Sequence, residues 1–468
     1  MRLSECLNLS DIDALRKIAE TYEFDCHRSS KNSLMQAIMT HFYNRTFIEE
    51  HVVDICSEEY RETLLQITMD RRQSFSKEEL HALVKRAIAN KTEKDAACDQ
   101  QLINQLLREG WLYRLSNRGG HNAYVVPEDV LKKLQEFITR QLQTQLEFAD
   151  SPPVVYRYDE FAIIRDMAQF LSFVKKQDIK LTQDGVIFKR QLQTLLDTFE
   201  MKEELQGKGW RFGYGRRFHD YPDRFALFYD YCYSRGLIEE HPEGNLLLTD
   251  AAEDWLNRTN KDKLVDLFKF WRLLYRRPIP RLPFVVTALA RAVQSNWTFV
   301  RSVNRLLAPY VSEYYYDSQE QVMEKRIYQM MVNLGLLCYG KTADGRDVVK
   351  LSELGSELLL MENMAEESDG SAYEQETALV IHPNFDILLP TVEAGRMVWE
   401  LNQFSELIRA DLMRVYRITK QSVGHAFKNG WTAETIIQFL NRHSGDLVPS
   451  NVKRMIQFWS EEYQRHSN

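Results

Sequence analysis

The 468-residue sequence is poor in the residues that cross-links, metal centres and membrane spans require. Its six cysteines are scattered without a Cys-x-x-Cys pair, which argues against both a disulfide framework and a zinc site. No apolar run reaches the roughly 18 uncharged residues of a membrane helix, and the first residues, MRLSECLNLSDIDAL, have no apolar segment of signal-peptide length. We therefore expect a cytoplasmic protein, nucleoid-associated if the source is prokaryotic.

Positive charge is also in short supply. Lysine and arginine total 60 against 67 aspartate and glutamate residues, which gives a net charge of −7. Because the molecule as a whole repels polyanions, any nucleic-acid binding has to come from local basic surfaces. Hydrophobic residues make up 44% of the chain, which indicates globular domains rather than disorder.

Catalytic signatures are missing or out of context. The sequence has no HExxH helix, no GxSxG elbow and no Cys/His ligand pairing, so we predict no catalytic residue, no metal and no cofactor. GLLCYGKT, residues 335–342, satisfies the GxxxxGK[ST] pattern of a phosphate-binding P-loop, which needs a strand before the first glycine and a helix after the threonine. Here the sequence predicts a helix before Gly335 and a hairpin turn after Thr342. ATPase activity is therefore disfavoured, and the chain is predicted not to be an enzyme.

One supersecondary pattern occurs three times along the chain. In each copy an amphipathic helix ends at a glycine, two short strands follow around a turn, and another helix begins. The copies are DQQLINQLLREGWLYRLSNRGGHNAYVVPEDVLKKL, RFALFYDYCYSRGLIEEHPEGNLLLTDAAEDWL and KRIYQMMVNLGLLCYGKTADGRDVVKLSELGSELL. Gly110, Gly236 and Gly335 stand where a helix C-terminus favours left-handed dihedral angles. The pattern predicts winged helix-turn-helix units, which either contact DNA or only pack against other proteins.

The predicted fold class is mainly α with small β-hairpins, an α+β protein. Tandem winged-helix units precede a C-terminal β-α-β-α-α-α domain. The predicted parts are a small helical unit (1–50), winged helix 1 (51–150), winged helix 2 (154–260), winged helix 3 (261–360), an acidic linker (361–376) and the C-terminal domain (377–468). Residues 8–42 resemble the helix-extended-loop-helix units of the SAP and Rho N-terminal type, which often touch nucleic acid.

Local basic segments are the candidates for nucleic-acid contact. GKGWRFGYGRRFHDYPDRF, residues 207–225, combines glycines, aromatic rings and arginines in the way that suits single strands, but it equally suits an ordered loop that fills a gap between domains. RLLYRRPIPRL, residues 272–282, predicts a rigid connection that carries positive charge. The predicted nucleic-acid-binding residues are Lys208, Arg211, Arg216, Arg217, Arg276, Arg277, Arg114 and Arg118.

The C-terminal part begins with ALVIHPNFDILLP, residues 378–390, a predicted strand. MVWELNQFSELIRADL is predicted to be an amphipathic helix through Leu401, Phe404 and Ile408, and RVYRIT a second strand before three helices. This region resembles the helicase-associated N-terminal domain of XPB-type helicases, and it is similar to the matching domain in the winged-helix subunit of transcription factor IIH that clamps XPB. The resemblance is carried by His382-Pro383-Asn384, by YRIT with Ser422 after it, by NGWTAETIIQFL and by VPSNVKRMIQFW.

The resemblance implies a non-catalytic, DNA-associated adaptor that docks on or regulates a helicase in DNA repair or transcription. The implied partners are a superfamily 2 (XPB-like) helicase or a transcription or repair complex, and DNA as duplex or fork, with no membrane. The predicted partner-binding residues are His382, Asn384, Phe385, Ile387, Tyr416 and Ile418, for which packing into the core is the alternative. The alternative function is a winged-helix transcription regulator that uses the C-terminal domain for dimerisation.

Overall fold

A computed structural model of the protein describes residues 1–53, 57–70, 72, 74–88, 96–116, 122–205, 215–360, 379–390, 395–410 and 413–467. The chain divides into two compact units. Unit 1 comprises Met1–Pro152, Ile279–Met323 and Asp344–Lys350, and unit 2 comprises Pro153–Pro278, Glu324–Ala343 and Leu351–Asn468. The predicted acidic linker at 361–376 lies outside the described residues, and the boundaries that we drew from the sequence stay predictions.

Helices make up most of the described chain. In order they are α1 (Leu3–Leu9), α2 (Ile12–Thr21), α3 (Lys31–Phe42), α4 (Arg45–Val53), α5 (Glu58–Met69), α6 (Lys77–Ile88), α7 (Ala96–Arg108), α8 (Glu128–Gln143), α9 (Ala162–Lys176), α10 (Lys189–Leu196), α11 (Asp223–Ser234), α12 (Ala251–Leu256), α13 (Asn260–Tyr275), α14 (Leu282–Val293), α15 (Val300–Leu307), α16 (Gln319–Val322), α17 (Gln329–Asn333), α18 (Glu353–Leu360), α19 (Gly395–Phe404), α20 (Lys420–Lys428), α21 (Ala433–Ser444) and α22 (Ser450–Ser467). A π-helical segment, Met323–Tyr328, lies between α16 and α17 in the sequence.

The strands are short and pair antiparallel. They are β1 (Ser74–Phe75), β2 (Tyr113–Ser116), β3 (Asn122–Val125), β4 (Val155–Arg157), β5 (Ile179–Lys180), β6 (Ile238–Glu240), β7 (Asn245–Leu248), β8 (Thr298–Phe299), β9 (Leu337–Lys341), β10 (Asp347–Leu351), β11 (Val380–Ile381), β12 (Asp386–Pro390), β13 (Glu406–Ala410) and β14 (Met413–Arg417). The predicted α+β class with small hairpins is confirmed.

A similar order of elements occurs three times: a helix, a short strand, further helices and two strands. It runs from α5 to β3, from α9 to β7, and from α14 to β10. The further helices number two in the first two copies, whereas the third has α15, α16 and α17. In the first two copies the short strand pairs with the last strand, which gives the sheet orders β1-β3-β2 and β5-β7-β6. Gly110, Gly236 and Gly335 have φ angles of 75°, 64° and 69°, which confirms the left-handed helix ends that the sequence predicted.

Residues 1–50 and the first copy share one hydrophobic core within unit 1. Ile18 of α2 and Phe42 of α3 belong to the same buried cluster as Leu106 and Trp111 around the end of α7. The two parts approach closely at Gly110, where an added Cβ would lie 3.2 Å from both Ile18 and Phe42. Short amphipathic helices bury their apolar stripes only against another element, and here α7 supplies that element.

Helix α9 is the central helix of unit 2. Its residues from Ala162 to Val174 are buried on every side, and they include the polar residues Arg165, Asp166 and Gln169. Helix α19 packs along α9. The C-terminal domain is therefore held against residues of the second copy.

The C-terminal domain is built on the sheet β11-β12-β14-β13, with α19 between β12 and β13 in the sequence. The predicted helix through Ile408 is wrong at its end, because α19 stops at Phe404 and Glu406–Ala410 form β13. The backbone N–H of Ser405 donates to the carbonyl of Leu401 and closes the helix at 3.0 Å. The residues after it then gain hydrogen bonds from β14, a partner strand that helical periodicity alone does not reveal.

Candidate functional site

The HPN motif forms the turn between β11 and β12. The N–H of His382 donates to the carbonyl of Asp386 at 2.8 Å, and the N–H of Phe385 donates to the carbonyl of His382 at 3.0 Å. Phe385 has a φ of 74°. The Asn384 amide donates to the Asp386 carboxylate at 2.9 Å, and the Asn451 amide donates to the Pro383 carbonyl at 2.8 Å. Hydrogen bonds within the turn and one from Asn451 of α22 thus stabilise it, and the side chains of His382 and Asn384 are exposed.

The other predicted partner-binding residues point mainly inward. Ile387 and Tyr416 are fully buried, and Ile418 is 2% exposed. Phe385 is half-buried, with its ring 5.8 Å from that of Trp459. Core packing accounts for Ile387, Tyr416 and Ile418, which leaves His382, Asn384 and part of Phe385 as the accessible members of the predicted set.

Strand β13 forms one edge of the C-terminal sheet, because it pairs with β14 and is last in the strand order. Its pairing is irregular between Leu407 and Arg409. Ile408, at this irregularity, is 51% exposed. An edge strand with an exposed apolar side chain is a site where another chain can add a strand.

Helix α19 is joined to α9 by polar contacts as well as by packing. The Asn402 amide donates to the Gln169 side-chain oxygen at 2.7 Å in a buried position. Lys176 donates to the carbonyl of Ser405 at 3.2 Å, and burial lowers the pKa of this lysine to about 8. These contacts give the C-terminal domain a defined place on the second copy.

Five charged residues of unit 2, Arg165, Asp166, Glu200, Arg224 and Arg414, form what we term the buried charge cluster. Arg414 of β14 donates from Nη2 to one oxygen of Asp166 at 3.1 Å, and Arg224 of α11 lies 2.8 Å from the other oxygen. The backbone N–H of Glu200 donates to the same carboxylate at 2.7 Å. The side chains of Asp166 and Arg414 are fully buried, so each of these charges depends on its partners for compensation.

Glu200 is the second carboxylate partner of Arg414. It accepts a 3.2 Å hydrogen bond from Arg414 and two bonds of 2.8 Å from Arg165. Burial alone would raise the pKa of Glu200, but the two arginines hold this pKa below its ordinary value. Burial raises the pKa of Glu203, whose carboxylate accepts the backbone N–H of Arg224 at 2.9 Å.

Sequence reasoning missed the buried charge cluster. A signal is present in FAIIRDMAQFLSFV, where Arg165 and Asp166 interrupt an otherwise apolar helix. Charged residues inside an apolar run are buried only when they are paired. That rule predicts partners for both residues, but it does not identify them.

Two of the predicted nucleic-acid-binding residues are engaged within unit 2. Arg216 and Arg217 both form ion pairs with the carboxylate of Glu240, and Tyr229 donates to the same carboxylate at 3.0 Å. The guanidinium of Arg216 also lies 4.1 Å from the ring centre of Tyr233. These contacts favour the ordered-loop interpretation for the described end of the basic loop.

The remaining predicted nucleic-acid-binding residues fall into two groups. Arg276 and Arg277 are exposed in unit 2 just after α13, and Arg114 is exposed on β2 in unit 1. Lys208, Arg211 and Arg118 lie outside the described residues. Of the predicted residues that the structure describes, Arg216 and Arg217 share one partner, the carboxylate of Glu240.

The glycines of GLLCYGKT have packing roles. A Cβ at Gly335 would lie 2.1 Å from the carbonyl oxygen of Glu160, and a Cβ at Gly340 would lie 2.7 Å from the Pro153 side chain. Along the chain the order is helix α17, strand β9 and strand β10. A P-loop has the order strand, loop, helix.

The comparison with protein families gives a match in the C-terminal domain. Residues 379–467 match the family described as helicase conserved C-terminal domain. No curated protein matches the chain. The C-terminal domain is thus similar to a helicase domain, which confirms the predicted helicase association at this level.

Two further findings apply to the part of the chain that the structure describes. No helix in it is both long and apolar enough to cross a bilayer. No three His, Cys, Asp or Glu side chains are grouped there to hold a metal ion.

Proposed function

We propose that this protein is a non-catalytic, DNA-associated adaptor that docks on or regulates a helicase in DNA repair or transcription. The observation that carries the proposal is the helicase-family match over 379–467, since these residues form one small domain held on α9. An XPB-type helicase is the favoured partner, because the HPN turn and the three final helices resemble a helicase-associated domain. XPB-type helicases share this domain with the winged-helix subunit of transcription factor IIH that binds XPB.

The strand pairings in the matched domain support a docking role rather than a motor role. β12 pairs antiparallel with β11 and with β14, and β13 pairs antiparallel with β14. Nucleotide-binding motors place phosphate at the N-terminus of a helix that directly follows a strand, within parallel βαβ units. In the proposed adaptor, ATP hydrolysis belongs to the partner.

The edge strand β13 is the docking surface that we favour. The face of the C-terminal domain that carries Asn402 is occupied by α9, whereas Ile408 on β13 is about half exposed. Main-chain hydrogen bonds along an edge provide affinity, and exposed side chains such as Ile408 provide specificity.

Replacing Ile408 by lysine is expected to weaken capture of a purified XPB-type helicase by roughly tenfold or more, because a charge then replaces an apolar contact at the edge. Binding is measured by biolayer interferometry with the full-length protein immobilised. The matched control is Leu447→Lys, since Leu447 is 78% exposed in the same domain, between α21 and α22. If the two variants bind the helicase equally, β13 is not the docking surface.

Replacing Lys341 by alanine is expected to leave nucleotide binding unchanged. Lys341 occupies the P-loop lysine position of GLLCYGKT, but it lies exposed on a strand, where no helix N-terminus follows to hold phosphates. Equilibrium dialysis with magnesium and labelled ATP compares the variant with the wild type. Binding by the wild type that disappears in Lys341→Ala would contradict the adaptor proposal and indicate an ATPase.

A further inference from the structure

Helix α7 presents a polar face on the side opposite its core contacts. Leu102, Ile103 and Leu106 are buried, whereas Gln101, Asn104, Gln105 and Arg108 are exposed at i, i+3, i+4 and i+7 spacing. Asparagine and glutamine pair with adenine, and arginine pairs with guanine, at base edges in the major groove of DNA. This face therefore carries side chains of the types that read base pairs, and the Asn104 oxygen accepts a hydrogen bond from Gln100 at 3.0 Å.

A cleft of about 670 Å³ lies beside this face. Lys17 of α2, Arg108 of α7 and Arg114 of β2 line it, and all three side chains are exposed. Among the described residues, none of these three cations forms an ion pair. They are the type of group that holds a phosphodiester backbone.

The two acidic residues of the cleft are already engaged. Asp11 accepts the backbone N–H of Ala14 at 2.8 Å and caps α2. Asp13 forms an ion pair with Arg16 at 2.6 Å. Asp13 is thus paired with a cation outside the lining, and among the lining residues the three cations outnumber the two carboxylates.

We infer that the cleft and the polar face of α7 form a binding site for duplex DNA. Lys17, Arg108 and Arg114 hold one phosphate strand, while Gln101 and Asn104 enter the major groove. The inference rests on the proposed DNA association and assigns it to unit 1. It also explains how a chain of net charge −7 binds a polyanion, since the positive charge is local.

The chemistry of the cleft favours duplex DNA over single strands and over RNA. Single-strand binding uses exposed aromatic rings on which bases stack, but the one aromatic residue in the described lining, Tyr113, is 3% exposed. A helix fits the major groove of B-form DNA, which is about 12 Å wide. The major groove of duplex RNA is too narrow for side chains to read.

The test measures binding of the full-length protein to a fluorescent 25-base-pair duplex by anisotropy at several salt concentrations. A variant with Lys17, Arg108 and Arg114 all replaced by alanine is expected to bind about 10- to 100-fold more weakly. The slope of log affinity against log salt should fall by about three, one for each lost phosphate contact. A variant with Gln101→Ala and Asn104→Ala should keep the slope and lose preference among duplex sequences.

The matched control removes the same charge elsewhere. Lys77, Lys269 and Arg301 are exposed on α6, α13 and α15, and their joint replacement by alanine should leave the slope unchanged. Equal weakening by both triple variants would overturn the site, and so would tighter wild-type binding to single strands or to duplex RNA. Circular dichroism checks that each variant is folded.

Helicase capture by the same variants separates this inference from the proposed function. The cleft variant should capture the helicase as well as the wild type does, because the cleft belongs to unit 1 and the proposed docking strand to unit 2. If the wild type binds duplex DNA through the cleft but captures no helicase, the adaptor proposal fails and the DNA site stands. If capture is normal and the cleft variant binds duplex DNA like the wild type, the DNA site fails alone.

Discussion

Replacing Arg414 by methionine is expected to lower the free energy of unfolding by about 3–5 kcal/mol, the typical cost of removing one partner from a buried ion pair. Arg414 has no exposed surface, and it bonds to Asp166 at 3.1 Å and to Glu200 at 3.2 Å. Methionine fills similar space, so the loss comes from two carboxylates left with less positive charge rather than from a cavity. Urea denaturation followed by tryptophan fluorescence measures the change.

The matched control is Arg417→Met on the same strand. The Arg417 side chain is 46% exposed, and it bonds to Asp386 at 2.7 and 3.1 Å. Because water compensates an exposed pair, this change should lower the free energy of unfolding far less than Arg414→Met does. Equal costs for the two variants would mean that the buried charge cluster does not hold the C-terminal domain on α9.

A double-mutant cycle tests whether Arg414 acts through Asp166. Asp166→Asn keeps an oxygen that accepts the N–H of Glu200, but it removes the negative charge that faces Arg414. The double variant, Asp166→Asn with Arg414→Met, should cost less than the sum of the single changes by roughly 0.5–3 kcal/mol. A strictly additive result would assign the effect of Arg414 to Glu200.

Replacing Gly335 by alanine is the other change for which we expect a large effect, a loss of about 2–5 kcal/mol of unfolding free energy. The φ of 69° is unfavourable for a side chain, and the new Cβ would lie 2.1 Å from the carbonyl oxygen of Glu160. This oxygen belongs to the backbone just before α9, so it cannot move aside by a change of rotamer. The midpoint of urea unfolding should fall accordingly.

Gly236→Ala separates the cost of the left-handed backbone angle from the cost of the close contact with Glu160. Gly236 has a similar φ of 64°, but an added Cβ meets no atom within 4 Å. Its replacement should cost only about 1–2 kcal/mol, the penalty for left-handed dihedrals. If Gly335→Ala costs no more than Gly236→Ala, the close approach of Glu160 does not constrain the chain.

Local patterns predicted the fold class because the relevant forces act between near neighbours. Apolar spacing on α7, the glycine at its end and the turn residues of the hairpins all act within a few residues, and the structure has those elements. The end of α19 shows where such reasoning stops. ELIRA fits a helix or a strand, and only the hydrogen bonds from β14 decide for the strand.

Candidate sites were less predictable than elements. Arg216 and Arg217 look like phosphate ligands in the sequence, but Glu240, more than 20 residues away, accepts both of them. The polar face of α7 could have been found from the spacing of Gln101, Asn104 and Arg108. Proposing it as a binding site required the cations of α2 and β2 beside it, which only the structure shows.

The sequence by itself determined the α+β class, the three helix-and-hairpin copies and the similarity of the C-terminal domain to helicase-associated domains. Periodicity, turn residues and motif spacing are local properties, so a single chain displays them without its fold. Only the tertiary structure decided that Asp166 and Arg414, 248 residues apart, form one buried cluster, and that Ile387 and Tyr416 are core residues. Burial and charge pairing depend on which distant segments of the chain pack together, and local sequence patterns do not specify those contacts.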